Sequence, residues 1–242
     1  MNPDLTILIP VRNEEENVKI ISKEIIDKIA CSQYEILFIN DYSQDKTEKT
    51  LLEITEKENS VRYVNNNKKK GLGDTIRIGI EESKGKYICI MMSDSSDTVE
   101  DLNRYYDIIK SSSYDAVFGS RFIKGGKTVN YPVLKYVLNR AGNLLAQFLM
   151  WSDLNDFTNG FKIYKKKTLT DLYPLVSESF NIFFELPLKV ISRNYKYTII
   201  PIAYINRTVG EAKFKIDELG SKYLFTLLYC FLEKILLGTK KK

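Results

Sequence analysis

The first half of the chain alternates short apolar runs with segments of helical spacing, and this alternation limits its possible folds more than any other feature. The predicted strands are Leu5–Ile9, Tyr34–Ile39, Val61–Val64, Tyr87–Met91 and Ala116–Phe118. The predicted helices between them are Glu14–Ala30, Asp45–Glu58, Leu72–Ser83 and Val99–Lys110. Strands that alternate with helices favour an α/β fold with a mainly parallel, right-handed sheet.

Polar segments follow three of these predicted strands. They are Pro10–Glu14, Asn40–Ser43 and Ser93–Asp97. In parallel α/β sheets, ligands bind beyond the carboxyl ends of the strands. We therefore expect the three segments to meet at one edge of the sheet and to form a site there.

The second half of the chain is less regular. Helical spacing predicts helices over Val133–Trp151, Ile182–Ser192 and Leu219–Leu237, and apolar runs predict strands at Phe161–Tyr164 and Tyr197–Ile202. No internal repeat or linker interrupts the chain. We expect one domain over residues 1–215, followed by an apolar helix and a basic tail over residues 216–242.

Composition excludes several kinds of site. The 242 residues include no histidine, which removes histidine metal sites, serine-histidine-aspartate triads and histidine bases. A bound metal would need oxygen ligands, which favours Mg²⁺ or Mn²⁺. The net charge of +5 comes without a nucleic-acid motif, so we expect no nucleic-acid partner. Three dispersed cysteines and the lack of a signal-peptide pattern predict a cytoplasmic protein with free thiols.

Eight short motifs occur along the chain, and their order and spacing are informative. They are PVRNEEENV, INDYSQDKT, KGLGDTIRIGI, MMSDSSDTVEDL, FGSRF, NRAGN, DFTNGFKIY and NRTVGEAKF. Together, over roughly residues 5 to 215, they resemble the family 2 glycosyltransferases, and most of all the dolichyl- or polyprenyl-phosphate sugar synthases. The resemblance implies a GT-A fold, which is a Rossmann-like, mainly parallel sheet flanked by helices. It also implies inverting transfer from a nucleotide-sugar, with a divalent metal bound.

The segment MMSDSSD stands where this family has an Asp-x-Asp motif at the end of the fourth strand. The aligned residues are Met92, Ser93 and Asp94, so methionine replaces the first aspartate. The resemblance implies that Asp94 binds Mg²⁺ or Mn²⁺ directly, with Ser96 and Asp97 within reach. The metal would neutralise the diphosphate leaving group. Alternatively, the segment caps the helix that starts near Val99, and Asp97 can serve both roles.

The nucleotide side of the family's site corresponds to the first three loops. The resemblance assigns nucleotide binding to Pro10, Arg12, Glu14, Asn40, Asp41, Ser43, Lys70 and Gly71. Asn40 stands where relatives have the first aspartate of D-D-G-S, which leaves the donor open between GDP-sugars and UDP-sugars. Taken alone, Asn40–Ser43 also fits a turn, and Lys70–Gly73 also fits a helix entry.

Four cationic residues match family positions near the phosphates of donor and acceptor: Arg121, Arg140, Arg207 and Lys213. A guanidinium fork suits phosphate oxygens. Any one of the arginines taken alone is more often a surface residue, and the matched set is what indicates phosphate binding. Lys162 stands where relatives carry Arg or Lys.

The acceptor decides whether a base is needed. A phosphate monoester is already ionised at neutral pH, because its second pKa is about 6, and the lack of histidine therefore favours a polyprenyl phosphate. Transfer to a sugar hydroxyl would instead need Asp156 or Glu185 as a base. We expect Asp94, Arg121, Asp156 and Arg207 to be the catalytic residues. Two rivals stay open: a nucleotide-sugar-binding protein without turnover, which Met92 and Asn40 suggest, and a membrane-docked structural subunit.

The last predicted helix bears on the membrane. Its uncharged stretch, Tyr223–Leu232, is shorter than the roughly 20 apolar residues that a spanning helix needs. Polar residues recur every four positions as one stripe: Lys222, Thr226, Cys230 and Lys234. This pattern predicts an amphipathic helix on the inner face of a membrane, assisted by Lys240–Lys242. It equally fits a helix that docks on the protein's own core or on a second subunit of a homo-oligomer.

Overall fold

A computed structural model of the chain describes residues 2–129, 131–205 and 219–237. The strands are β1 (Leu5–Val11), β2 (Tyr34–Asn40), β3 (Val61–Asn65), β4 (Tyr87–Ile90), β5 (Ala116–Ser120), β6 (Lys127–Val129), β7 (Lys162–Lys165), β8 (Tyr197–Pro201) and β9 (Ala203–Ile205). The helices are α1 (Glu15–Lys28), α2 (Thr47–Thr55), α3 (Leu72–Glu82), α4 (Val99–Ser111), α5 (Val133–Met150), α6 (Lys166–Asp171), α7 (Ile182–Ser192) and α8 (Leu219–Leu237).

The main sheet has seven strands in the order β3-β2-β1-β4-β7-β5-β8. All neighbours pair in parallel except β7, which runs antiparallel to both β4 and β5. A separate parallel pair joins β6 to β9. The predicted α/β fold with a mainly parallel sheet is confirmed.

Strand β7 brings a further loop to the ligand-binding edge. Its first residue, Lys162, pairs with Ile90 at the end of β4 and with Phe118 in β5. Because β7 is antiparallel, the loop that precedes it reaches the edge where the parallel strands end. The acidic residue Asp156 therefore comes to the same edge as Asp94.

Helices cover both faces of the sheet, each over its own apolar core. One core joins the sheet to α1 and α4 through residues such as Ile21 and Leu102. The other joins it to α3, α7 and α8 through residues such as Ile76, Leu186 and Leu227. Burial on both faces explains why the parallel strands read as continuous apolar runs.

Helix α8 packs with the middle of its polar stripe, Thr226 and Cys230, towards the protein. Thr226 and Cys230 are fully buried, and Asn181 Nδ2 donates to Thr226 Oγ1 at 3.0 Å. Ser192 Oγ donates to the carbonyl oxygen of Cys230 at 2.8 Å. Docking on the protein's own core, one of the alternatives for this helix, is therefore observed. Leu227 is also buried, whereas many other apolar side chains of α8 point outwards, and the exposed ones include Leu224, Phe225, Leu228, Leu232, Ile235 and Leu236.

Three short elements were not predicted from the sequence, namely β6, α6 and β9. They span three to six residues, too few for a periodic pattern to emerge. Among the helices that the structure describes, none is both long enough and apolar enough to cross a bilayer. The predicted boundary after residue 215 and the Lys240–Lys242 tail lie outside the described residues.

Candidate active site

A cavity of about 720 Å³ lies at the carboxyl edge of the sheet. The loops after β1, β2 and β4 contribute to its wall, as the three polar segments predicted, and the loop after β5 adds Arg121. Nine of the predicted site residues line it: Pro10, Arg12, Glu14, Asp41, Gly71, Asp94, Ser96, Asp97 and Arg121.

The loop after β4 presents two carboxylates to this cavity. Ser95 has a φ of 53°, and this left-handed residue turns the chain between Asp94 and Asp97. Asp94 Oδ1 accepts the backbone N–H of Ser96 at 3.2 Å, which holds the turn. The N-cap of α4 is Thr98, whose Oγ1 accepts the backbone N–H of Asp101. The alternative in which Asp97 caps this helix is therefore wrong, and Asp97 faces the cavity.

The two carboxylates repel each other within a poorly solvated site. Burial, with the charge of Asp94 as the next cause, raises the pKa of Asp97 to about 7. Burial likewise lowers the pKa of Lys162, beneath the site, to about 7. A divalent cation would relieve the repulsion, and carboxylate and hydroxyl oxygens are the ligands that Mg²⁺ and Mn²⁺ prefer.

The protein by itself offers few metal ligands. Within the described part of the chain, no three acidic, cysteine or histidine residues cluster as a metal site. Asp94 and Asp97 with the Ser96 hydroxyl make a partial set, which fits a metal whose shell is completed by substrate phosphates and water. Met92 packs against the apolar core and is a poor ligand for such a metal.

Asp41 is held in place on the nucleotide side of the cavity. Its Oδ1 accepts Asn66 Nδ2 at 2.8 Å and the backbone N–H of Gly71 at 3.2 Å. Gly71 has a φ of 150°, and a Cβ there would lie 2.8 Å from the carbonyl oxygen of Glu178. Only glycine fits this approach, so the Lys70–Gly73 turn fixes Asp41 as well as starting α3.

Three other residues predicted to bind the nucleotide do not line the cavity. Asn40 is buried, and its Nδ2 donates to Asn65 Oδ1 at 2.8 Å across neighbouring strands. Ser43 Oγ accepts the backbone N–H of Asn13 at 2.9 Å. Lys70 is exposed on the loop. Asn40 and Ser43 therefore shape the loops that carry Asp41 and Arg12.

Arg121 and Asp156 form a buried, two-pronged ion pair. Arg121 Nε and Nη2 donate to the two carboxylate oxygens of Asp156, both at 2.7 Å, and the backbone N–H of Arg121 adds a third bond at 3.0 Å. Asp156 is fully buried and does not line the cavity, whereas Arg121 does. Burial alone would lower the pKa of Arg121, but the charge and hydrogen bonds of Asp156 raise it. Arg121 is thus a fixed cation at the cavity wall.

The second candidate base, Glu185, lies away from the cavity. It is fully buried, and its two oxygens accept the backbone N–H groups of Val176 and Ser177, each at 2.8 Å. Its place argues against a role as a base, because no acceptor hydroxyl can reach it from the cavity.

The remaining predicted cations lie elsewhere. Arg140 Nη1 donates to the carbonyl oxygen of Asn155 at 3.2 Å, and its guanidinium lies 4.5 Å from the Phe122 ring centre. It does not line the cavity. Arg207 and Lys213 lie outside the described residues.

Several cavity residues had not been singled out from the sequence. They include Tyr131, Asn139, Thr158, Asn159 and Tyr204. Asn139 begins the NRAGN motif, and Thr158 and Asn159 belong to DFTNGFKIY, so these three had a usable signal. Tyr131 and Tyr204 carried none, because a tyrosine in an irregular segment is usually only a surface residue.

The cavity also has an apolar part, formed by three helices. Its lining there includes Leu138 and Leu145 of α5, Phe183 and Phe184 of α7, and Leu224 and Leu227 of α8. Outside it, α5 and α8 expose a set of large apolar side chains that we call the α5–α8 apolar face: Val133, Leu134, Val137, Phe148, Trp151, Phe225, Leu232 and Leu236. Leu138, Leu145 and Leu224 are themselves half-exposed, so the cavity and this face are continuous.

Comparison with known proteins identifies relatives of the chain. Residues 6–172 match the profile of glycosyl transferase family 2. The polyprenol monophosphomannose synthase of Mycolicibacterium smegmatis is 28% identical over 230 residues, which cover 88% of this chain and 86% of that one. The dolichol-phosphate mannosyltransferase of Pyrococcus furiosus is 27% identical over 215 residues, which cover 87% of this chain but only 59% of that protein.

Solved structures support the fold. Glucosyl-3-phosphoglycerate synthase from Mycobacterium tuberculosis, in complex with Mn²⁺, uridine diphosphate and glucosyl-3-phosphoglycerate, superimposes with a TM-score of 0.71. The match covers 95% of this chain and 80% of that one at 15% identity. Together with the mixed seven-stranded sheet, it confirms the GT-A-like fold.

Proposed function

This chain belongs to glycosyl transferase family 2, and on that basis we propose that it transfers a sugar from a nucleotide-sugar to a polyprenyl phosphate. As a glycosyltransferase it forms one glycosidic bond and breaks another. The two relatives described above are both named for mannose, which supports mannose as the sugar. GDP-mannose is therefore the first donor to test, with UDP-glucose as the second.

One observation carries the choice of acceptor. A single cavity joins a charged part, with Asp94, Asp97 and Arg121, to an apolar part between α5, α7 and α8. A lipid phosphate has the same two parts, an anionic head and an apolar chain. A soluble sugar acceptor would leave the apolar lining without a partner.

Different residues of the cavity would bind the nucleotide-sugar donor and the metal. Asp41, Arg12 and Glu14 line the side where the nucleoside would lie. Asp94 would hold Mg²⁺ or Mn²⁺ directly, with Asp97 and Ser96 beside it. When bound, the metal supplies a Lewis acid that neutralises charge on the leaving diphosphate.

The acceptor phosphate needs to be positioned rather than deprotonated. A phosphate oxygen attacks the anomeric carbon as the bond from that carbon to the diphosphate oxygen breaks, with inversion. No proton has to be removed from an ionised phosphate. Arg121, held rigidly by Asp156, supplies a fixed positive charge near the incoming anion, and Arg207 and Lys213 stay predicted partners of the same anion.

Transfer is tested by incubating the protein with radiolabelled GDP-mannose or UDP-glucose, undecaprenyl phosphate and Mn²⁺. We expect label to move into the lipid fraction with one donor and to stop when EDTA is added. An oligosaccharide acceptor is the parallel arm. Label in the oligosaccharide alone would contradict the lipid-phosphate acceptor, and tight donor binding without any transfer would support the binding-only rival.

We further propose that the α5–α8 apolar face lies in the surface of a membrane that supplies the lipid. Trp151 is 73% exposed, and Lys234 Nζ lies 5.0 Å from its ring centre, a pairing suited to the boundary between lipid and water. Helix α5 contains no acidic residue, and the one acid of α8, Glu233, turns inwards to pair with Arg193 and Lys189. The face is thus apolar with a cationic margin, which suits anionic lipids.

Vesicle flotation tests this docking with side chains that face outwards. Phe225→Ser combined with Leu236→Gln should reduce binding to vesicles that contain phosphatidylglycerol, because about 25 cal/mol is lost per Å² of apolar surface no longer buried in lipid. Leu52→Gln, which alters an exposed leucine on α2, is the matched control. Unchanged flotation, with a dimer that dissociates in the double variant, would assign the face to a second subunit.

A further inference from the structure

An aromatic cluster surrounds the guanidinium of Arg121. The Arg121 Cζ atom lies 5.2 Å from the ring centre of Phe122, 5.6 Å from that of Tyr131 and 5.4 Å from that of Tyr204. These distances are within the range of cation–π attraction. The cluster therefore adds to Asp156 in fixing the cation.

Two rings of this cluster also reach the cavity. Tyr131 and Tyr204 pack edge to face, with ring centres 5.6 Å apart, and both line the cavity together with Asp94 and Asp97. Tyr136 belongs to the same cluster through Phe122 and Tyr131 but does not line the cavity. The rings of Tyr131 and Tyr204 thus form part of the wall next to the carboxylates.

The β6–β9 ribbon holds these two tyrosines over the site. Tyr204 lies in β9 opposite Thr128 of β6, and Tyr131 follows β6 by two residues. Asn139 Nδ2 of α5 donates to the Tyr131 hydroxyl at 2.9 Å. Burial, with the charge of Asp94 as the next cause, raises the pKa of Tyr204 to about 12, as expected for a ring in a dry site near that carboxylate.

Hydrolysis of the nucleotide-sugar is the side reaction that such a wall would prevent. Water can replace the acceptor: its oxygen attacks the anomeric carbon, the bond to the diphosphate breaks, and free sugar, nucleoside diphosphate and a proton result. A transferase has to exclude water from the reacting carbon while it admits a phosphate. Aromatic rings fill space, and their faces accept only weak hydrogen bonds from water.

We propose that Tyr131 and Tyr204 form an aromatic wall that keeps water from the anomeric carbon and so sets the ratio of transfer to hydrolysis. This role rests on the proposed glycosyl transfer. It is a positioning and specificity role that depends on the ring, since the ring and not the hydroxyl fills the wall.

The test measures both products of one reaction. Wild type and variants receive radiolabelled GDP-mannose or UDP-glucose, undecaprenyl phosphate and Mn²⁺, and free sugar and lipid-linked sugar are counted separately. We expect Tyr204→Ala and Tyr131→Ala each to raise the fraction hydrolysed by about tenfold or more, and Tyr204→Phe to stay within about threefold of wild type. Tyr136→Ala, which removes a ring of the same cluster outside the cavity, is the matched control and should leave the fraction unchanged.

The outcomes separate the two claims. If the wild type transfers sugar but both alanine variants hydrolyse no larger a fraction, the wall is refuted and the transfer function stands. If Tyr136→Ala raises hydrolysis as much as they do, general loosening of the cluster is the cause, and the wall is also refuted. If the wild type transfers no sugar to the lipid, the proposed function fails and this inference fails with it. The hydrolysed fraction is a ratio, so a variant that is only partly folded still gives a valid value.

Discussion

The buried pair of Arg121 and Asp156 gives a sharp test of what the acidic residue does. Asp156→Asn keeps the shape of the side chain but removes its charge, and it turns one oxygen acceptor into an amide donor. Arg121 would then face a donor where it now has a carboxylate oxygen at 2.7 Å. The guanidinium would stay buried without the carboxylate that now pairs with it.

The expected cost follows from the burial of both groups. Their side chains are 5% and 0% exposed, so solvent screens the pair little. Removing one partner of a buried ion pair costs about 3–5 kcal/mol. Total stability of a domain is about 5–15 kcal/mol, so the loss should be plain in urea denaturation. Asp153→Asn, at an exposed position on the same loop, is the matched control and should stay within about 0.5 kcal/mol of wild type.

The same variant separates a positioning role from catalysis by a base. If Asp156 only holds Arg121, Asp156→Asn should lose stability and weaken transfer to undecaprenyl phosphate, and Arg121→Lys should do both to a smaller degree, by about 1–3 kcal/mol. If Asp156 were also a base for a sugar hydroxyl, Asp156→Asn would in addition abolish transfer to oligosaccharides, which Arg121→Lys would leave in place. A change in stability below about 1 kcal/mol would refute the structural role of Asp156.

Three further predictions follow from the site and the fold. Asp94→Asn should abolish Mn²⁺-dependent binding of GDP or UDP in isothermal titration calorimetry, whereas Asp97→Asn should only weaken it, and the reverse ranking would exclude Asp94 as the direct ligand. Burial lowers the pKa of Lys162 from 10.5 to about 7 in the folded protein. Between these two pH values the unfolded chain binds a proton at Lys162 that the folded protein does not bind, so the free energy of unfolding decreases as the pH falls towards 7. Wild type should therefore gain about 2 kcal/mol between roughly pH 7 and pH 9 relative to Lys162→Met, and parallel pH profiles in urea denaturation would contradict this. Gly73→Ala should destabilise by about 1–3 kcal/mol, because a Cβ there would lie 2.1 Å from the carbonyl oxygen of Ser177. Gly142→Ala, whose added Cβ would meet no atom within 4 Å apart from the backbone of its own helix and its chain neighbours, should stabilise α5 by about 0.5–1 kcal/mol, and equal thermal shifts of the two variants would refute the packing argument.

The sequence determined the fold class and the edge of the sheet where the site lies. Strands buried on both faces must be apolar throughout, and the helices between them must bury one stripe, so both patterns appear in the linear sequence. Parallel strands end at one edge, and the meeting of the loops with Arg12, Asp41 and Asp94 was therefore predictable from the order of the elements. The motifs added the family, because eight weak signals in order constrain one another.

Tertiary structure alone decided what several predicted residues do. Asp156 pairs with Arg121, 35 positions away, and Glu185 accepts two backbone N–H groups of the loop that precedes α7, so only the fold shows that the oxygens of both acids are already bonded. The orientation of α8 was also open from the sequence, because the stripe with Thr226 and Cys230 could face water or a neighbouring helix equally well. Hydrogen bonds from Asn181, the residue before α7, and from Ser192 of α7 turn this stripe inwards. Tyr131 and Tyr204 enter the site through the β6–β9 ribbon, which joins segments about 75 positions apart and is too short to leave a pattern. Local periodicity records which face of an element is buried, whereas the partner on that face depends on contacts between residues far apart in the chain.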